Sequence, residues 1–415
     1  MEPSSELSPA SGQAIGAPRR RGPRSALTAL LRDLRLRVSS GELGALPVVF
    51  GLALIWTYFQ AQDAHFLTAR NLSNLVLQIS VSGTIAIGVV LVLLLGEIDL
   101  SVGSVAGATA AILGVLTVDD NWPWWAGIVA MLAAGGLIGA FQGLWFAVLR
   151  VPSFVVTLAG LLVWLGVQLH VLGDAGTLNV FDARITAIAS TFLPDAWGWG
   201  LAIVAVIGYA GSRLFEDNQR RRAGMSSRSL PVLVVQTATI AVLLLGAVAV
   251  LNSAYGVPTA GVLLFALVAF FDWLARRTTF GRHIYAVGGY AEAARRAGIS
   301  VIRIRVLVFT LAGGLAAVGG LISTARLQAA STQTGGGTLL LESIAAAVIG
   351  GASLFGGRGS VWAALLGALV IGSVSNGLDL VGQPADVKYM VEGAILLLAV
   401  TIDAYSRRRL TVTGR

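Results

Sequence analysis

Two carboxylates, Glu97 and Asp99, stand in Gly96-Glu-Ile-Asp-Leu-Ser-Val-Gly-Ser104, between two long apolar runs. A charge at the centre of a membrane helix costs roughly 3 kcal/mol or more, so it persists only where it faces protein, water or a partner. Three kinds of chemistry are open to this segment. Asp99 or Ser101 can accept from the free N–H groups of a helix that starts just beyond them. The two acids can line a solute path, or they can carry a proton or an ion. Glu342 and Glu392 also sit in or beside apolar runs, and Lys388 lies four residues before Glu392 on the same helical face. Asn376, in another apolar run, is a candidate for lining a path or for a hydrogen bond between helices.

Other chemistries are excluded. There is no cysteine, which removes disulfides, thiol catalysis and thiolate metal sites. His65, His170 and His283 fall in unrelated segments, so no metal cluster is expected. A phosphate-gripping Walker loop needs a lysine after its glycine turn, and the only lysine, Lys388, has no such loop before it. Gly350-Gly-Ala-Ser-Leu-Phe-Gly-Gly-Arg-Gly-Ser360 lacks the lysine and reads as a tight turn between apolar runs. No catalytic residue, metal ligand or cofactor site is expected. If ATP drives this protein, the motor is a separate polypeptide.

The elements that must position these groups are membrane helices. Hydrophobic residues make up 56% of the 415-residue chain and charged residues 12%, against about 25% charged in soluble domains. Mean hydropathy is +0.80. A bilayer core takes about 20 apolar residues per helix. The expected fold is an all-α, polytopic membrane bundle of roughly twelve spans: 45–60, 74–96, 102–118, 124–149, 154–172, 196–212, 230–251, 256–275, 304–327, 339–355, 360–379 and 388–404. Several runs are too short to cross unless they extend into loops or are broken helices. With the N-terminus inside and the chain alternating, 25 basic residues fall on the inner side and 4 on the outer. That asymmetry follows the positive-inside rule and puts both termini in the cytoplasm.

Three parts are expected along the chain. Residues 1–44, rich in Ser, Pro, Gly and Arg, read as a flexible basic cytoplasmic arm, not as a nucleic-acid-binding domain. Residues 45–405 form the membrane domain, its first run a retained helix, and 406–415 form a basic cytoplasmic tail. Gly135, Gly139 and Gly143 make two successive GxxxG steps, and Ala364, Ala368 and Gly372 a similar stripe. Such stripes allow close helix packing within the bundle or between copies.

The largest interior loop, about 278–300, has the make-up of a docking device. Ala291–Ala297 suits a short helix, with Gly289 and Gly298 at its ends. Ala294 and Gly298, four apart, present a small face flanked by arginines that can enter a groove on a partner. A basic loop that only fixes topology is the alternative.

Several separated motifs together resemble the membrane subunits of bacterial ABC sugar importers, the ribose/xylose/galactose permease group. They are Phe66-Leu-Thr-Ala-Arg-Asn-Leu-Ser-Asn74, the Gly96–Ser104 motif, Val151-Pro-Ser-Phe-Val-Val-Thr-Leu158, Glu292-Ala-Ala294 with Gly298, and a C-terminal third running from Glu342 through Gly351, Gly356, Gly357 and Asn376-Gly-Leu-Asp379 to Thr401-Ile-Asp403. Tyr290 departs from the asparagine that the family often has there. Residues 200–255 look like an insertion relative to ribose-type members, and the chain most resembles the xylose-type permeases.

The resemblance implies a permease subunit, not an enzyme, in the bacterial cytoplasmic membrane. It implies a monosaccharide, xylose or a related pentose or hexose, as cargo. The expected partners are ABC ATPase subunits, an extracytoplasmic sugar-binding protein and a second permease copy. In that frame Gly289, Glu292, Ala293, Ala294 and Gly298 belong to the ATPase-coupling loop. Glu97, Asp99, Ser101 and Asn376 belong to the path or to a helix break. A secondary sugar/proton transporter is the rival reading, because it too would use membrane-embedded acids.

Overall fold

Backbone N–H and C=O groups have no water to bond in lipid, so long apolar runs satisfy them internally as helices. The computed structural model describes residues 46–225 and 230–412. The expected basic arm, 1–44, lies outside the described residues, as does the end of the tail, 413–415. The helices are α1 (Leu46–Gln62), α2 (Ala69–Leu94), α3 (Val102–Gly114, prolonged by a π turn over Val115–Asp119), α4 (Trp124–Leu149), α5 (Ser153–Leu172), α6 (Ala183–Ser190) and α7 (Asp195–Arg222). There follow α8 (Leu230–Asn252), α9 (Thr259–Arg277), α10 (Thr279–Arg296), α11 (Val301–Leu327), α12 (Leu339–Ile349), α13 (Trp362–Leu380) and α14 (Ala385–Val412). Pro123, Pro152, Pro194 and Pro258 directly precede α4, α5, α7 and α9. Proline fixes φ and has no N–H to leave unpaired, so it hands an extended connection over to a helix.

Nine of these helices, among the described residues, are long and apolar enough to cross a membrane: α2 to α5, α7, α8, α9, α11 and α13. The twelve apolar runs of the sequence fall on these nine and on α1, α12 and α14. The boundaries move where local chemistry dictates. The run expected to reach 355 stops at Ile349, because Gly351 takes φ +104° and opens a turn. The run expected to stop at 212 continues to Arg222 as a polar extension of α7.

The core is built around α2, whose spanning window is 83% buried. Helices α9, α11, α12 and α13 pack on it. Both small-residue stripes are used inside the chain. A Cβ on Gly139 would stand 2.1 Å from the Phe309 carbonyl oxygen, and one on Gly135 2.5 Å from that of Gly313, so α4 and α11 pack backbone to backbone. Ala364 and Ala368 are fully buried, and Gly372 abuts Ile79, so the second stripe seats α13 on α2. Helices α7 and α8 pack on each other at the periphery, each only 11% buried.

Two elements are broken. After α2 the chain runs non-helically through 96–101, with Gly96 at φ +76°, before α3 begins. Helix α12 has 11 residues, about 16 Å at 1.5 Å per residue, roughly half of a 30 Å hydrocarbon core. The first turns of these two helices meet, since a Cβ on Gly103 would lie 2.6 Å from the Gly335 oxygen and 3.2 Å from Leu340 Cβ. The segment leading into α12 is held by Gln168, whose amide nitrogen donates to the carbonyls of Ser331 and Thr334 at 2.8 Å. Two short ribbons close the loops nearby. The first pairs β1 (Thr177–Asn179) with β4 (Ala329–Ser331), and the second pairs β2 (Phe192–Leu193) with β3 (Val257–Pro258), both antiparallel.

Candidate functional site

The helix break is organised by Asp99, which is 6% exposed. Its Oδ1 accepts from the Ser101 backbone N–H at 2.8 Å and from the Ser101 hydroxyl at 2.7 Å. This local turn holds Ser101 at the N-cap of α3, where its own hydroxyl makes no bond to the first turn. A hydroxyl has one proton to give, and Ser101 gives it to Asp99. The Gln142 amide, 2.9 Å from Ser101 Oγ, must therefore serve as donor there. That orientation turns the Gln142 oxygen toward Gly160 and Trp164, whose indole N–H has no other partner. The segment is thus a buried polar joint linking α3, α4 and α5. Ile98 completes it through the Ser153 hydroxyl, 3.3 Å from its N–H, and the Thr157 hydroxyl, 3.2 Å from its carbonyl.

Glu97 points elsewhere. It forms an ion pair at 2.7 Å with Arg305 near the start of α11. The guanidinium lies over the Phe146 ring at 5.6 Å, and Phe146 packs at a tilt against Phe309, with ring centroids 4.7 Å apart. In the sequence Arg305 counts only among the basic residues of the inner segment, and the fold reveals Glu97 as its partner.

Directly beside this pair the backbone of α10 touches the break. A Cβ on Gly288 would fall within 1.8 Å of the Leu94 oxygen and 2.9 Å of the Gly357 nitrogen. One on Gly356 would lie 2.6 Å from the Gly288 oxygen and 2.8 Å from the Gly96 nitrogen. Gly96, Gly356 and Gly357 all take positive φ, of +76°, +81° and +71°, a backbone region that glycine enters without steric cost. The Gly357 N–H donates to Leu94 O at 2.9 Å. The glycine loop 350–360 is therefore a turn, as its composition implied. Its role is to clamp the end of α2 to α10.

Helix α10 bends at Tyr290, whose φ of −159° and ψ of 95° interrupt the helix. The C-terminal piece, 291–296, ends where Gly298 at φ +84° lets Ile299 N–H donate to Ala294 O at 3.0 Å. Gly289 sits exposed immediately before the bend. Ala293 is exposed as well, whereas Ala294 is 5% exposed and faces the core. The surface of this elbow is therefore Gly289, Tyr290, Ala293, Arg295, Arg296, Ala297 and Gly298, with Glu292 half-buried. Glu292 holds Arg295 at 2.7 Å and Arg296 at 3.4 Å. The hydrogen bond from Arg295 holds the Glu292 carboxyl below the usual carboxylate range.

Asn376 is not part of this assembly. It forms a reciprocal amide pair with Asn71, at 2.7 and 3.2 Å, and Asn71 also donates to Phe66 O at 2.8 Å. The pair pins α13 to α2. The fold thus unites Glu97, Asp99 and Ser101 at the break, joins them to the 278–300 elbow through Gly96 and Gly288, and leaves Asn376 apart. Gln142, Arg305 and Gly288 were missed as site residues in the sequence. Gln142 carried one signal, a lone amide in the GxxxG helix.

Comparisons with known proteins agree with this architecture. Residues 71–400 match the family described as the permease component of a branched-chain amino acid transport system. The xylose transport system permease protein XylH of Escherichia coli K12 is 38% identical over 379 residues, covering 91% of this chain and 94% of that protein. The Haemophilus influenzae protein of the same name is 38% identical, over 90% of this chain and 100% of its own length. The ribose import permease protein RbsC of E. coli K12 is 32% identical, over 82% and 87%. No solved structure matches the chain. None of these likenesses favours a gradient-coupled secondary transporter, and the family implies a separate ATPase and a substrate-binding protein as partners. The chain therefore belongs to this permease family, as a multi-pass, all-α, non-enzymatic subunit of a bacterial ABC importer in the cytoplasmic membrane.

Proposed function

We propose that this chain forms the membrane path for a monosaccharide of the xylose or ribose class, working as one of two identical copies. An ATPase subunit grips the α10 elbow from the cytoplasm, and a binding protein delivers sugar at the opposite face. The observation that carries this reading is the contact between elbow and break, where α10, the end of α2 and the 350–360 loop meet at glycine backbones. A displacement of α10 has no compliant side chain in which to dissipate. It must shift Leu94 and Gly96, and with them the Glu97–Arg305 pair and the Asp99 joint that starts α3.

The topology consistent with this reading has twelve crossings and both termini in the cytoplasm. The segment 332–338 and α12 together make one crossing, with irregular backbone at depth only where protein surrounds it. Arg276, Arg277, Arg295 and Arg296 then share the elbow's side, in keeping with the positive-inside bias.

The test is uptake of labelled D-xylose and D-ribose into proteoliposomes holding the chain, its ATPase and its binding protein. Uptake that needs ATP inside and survives a protonophore supports the reading. Uptake by the chain alone, driven by a proton gradient, contradicts it.

A further inference from the structure

The two acids that the helix break does not use meet elsewhere. Glu342 in the first turn of α12 and Glu392 in α14 line one cavity of about 360 Å³, together with Gly337, Thr338, Tyr389 and Gly393. Glu342 is held in place by the Thr338 hydroxyl, which donates to its Oε1 at 2.6 Å. Glu392 is 7% exposed, and its Oε2 has no hydrogen-bond partner. A buried carboxylate oxygen left unpaired costs roughly 1–3 kcal/mol or more, so its retention calls for a ligand. The remaining walls are apolar, including Leu341, Ile371 and Leu396, and the lining holds no Lys, Arg or His.

We infer that this cavity between α12, α13 and α14 is a waypoint for a neutral polyhydroxylated solute of monosaccharide size, an inference that rests on the sugar-importer reading. The lining itself carries two carboxylates and no cation, with Arg326 beside Glu342 and Lys388 beside Glu392 outside it, so its inner wall disfavours anions. Carboxylate oxygens accept readily from hydroxyl groups, and Tyr389 adds an aromatic ring to the lining. A divalent cation fits poorly, because calcium takes 6–8 oxygen ligands and the walls here are mostly apolar. The volume is at the small end of ligand pockets, which run from about 300 Å³. The N-terminus of the half-helix α12 opens into the same space, and a Cβ on Gly393 would meet nothing within 4 Å. Gly393 is thus an exposed position on the cavity wall at which an added Cβ strikes nothing.

The test uses the complete transport complex in proteoliposomes, with D-xylose and D-ribose as probes. Gly393→Trp fills the cavity and is expected to cut ATP-dependent uptake more than tenfold, while ATPase stimulation by the loaded binding protein stays within twofold of the parent. Gly393→Ala is expected to be neutral. Glu392→Leu is expected to raise the half-saturating sugar load or cut the rate at least fivefold, with Glu392→Gln, which keeps an acceptor oxygen, recovering part of the loss. Parent-level uptake by Gly393→Trp overturns the assignment and leaves the cavity a lipid-filled groove. Failure of the parent complex to import any monosaccharide contradicts the sugar reading itself, and the polyol chemistry falls with it. Should Glu392→Leu fail to reach the membrane, Gly393→Trp against Gly393→Ala still decides.

Discussion

At the scale of single residues, the acids of the chain divide by what each one touches. Asp99 is committed to Ser101, so Asp99→Leu leaves a buried N–H without its acceptor, at a cost of about 1–3 kcal/mol. Asp99→Asn keeps an acceptor and is expected to lose less. Thermal unfolding in detergent, read beside membrane yield, checks both, and equal melting of Asp99→Leu and parent would refute the joint. Glu292 gives a pH expectation with a definite sign. Its carboxyl is held low in the folded protein, so the Arg295 pairing is present above the unfolded value, about 4.3, and is lost only as pH falls through the lowered one. The pH profile of uptake between about 5 and 8 should therefore be superimposable for parent and Glu292→Gln. The sequence made Glu97 and Asp99 conspicuous, because charge in an apolar run is costly. It did not separate their roles, because the partners Arg305 and Gln142 lie far away along the chain and only packing brings them near.

At the scale of elements, the helices were legible because the apolar runs are long and punctuated by proline and glycine. The elbow at 291–296 was legible too, from an alanine-rich stretch between glycines. The direction it faces was not. Ala294 turns inward, which depends on how α10 lies against α2 and not on local spacing. Likewise the length of α12 depends on where Gly351 turns the chain, so the apolar run overstated the helix. The GxxxG stripe was legible as a packing face, and the structure identifies α11 as what it packs on. Gly139→Leu would force a side chain into the Phe309 carbonyl. Overpacking costs typically 1–3 kcal/mol, and more is expected where backbone is struck, so this variant should be lost from the membrane fraction. Gly166→Leu, at a position in α5 with open space around it, should accumulate normally. Immunoblots of membrane fractions compare the two, and equal accumulation would contradict the α4–α11 contact.

At the scale of the whole molecule, the chain is a bundle with a rigid centre around α2, a peripheral pair in α7 and α8, and an elbow tied by glycines to a broken helix. Side-specific labelling is straightforward here, because the native sequence contains no cysteine. One position reports most directly on whether the elbow is where an ATPase takes hold. In the variant Ala293→Cys, a membrane-impermeant thiol reagent should label inside-out vesicles, fail to label intact cells, and be blocked when the ATPase is bound. Labelling of Ala293→Cys from the outside of intact cells, or full reactivity within an assembled and transporting complex, would contradict a permease worked through α10.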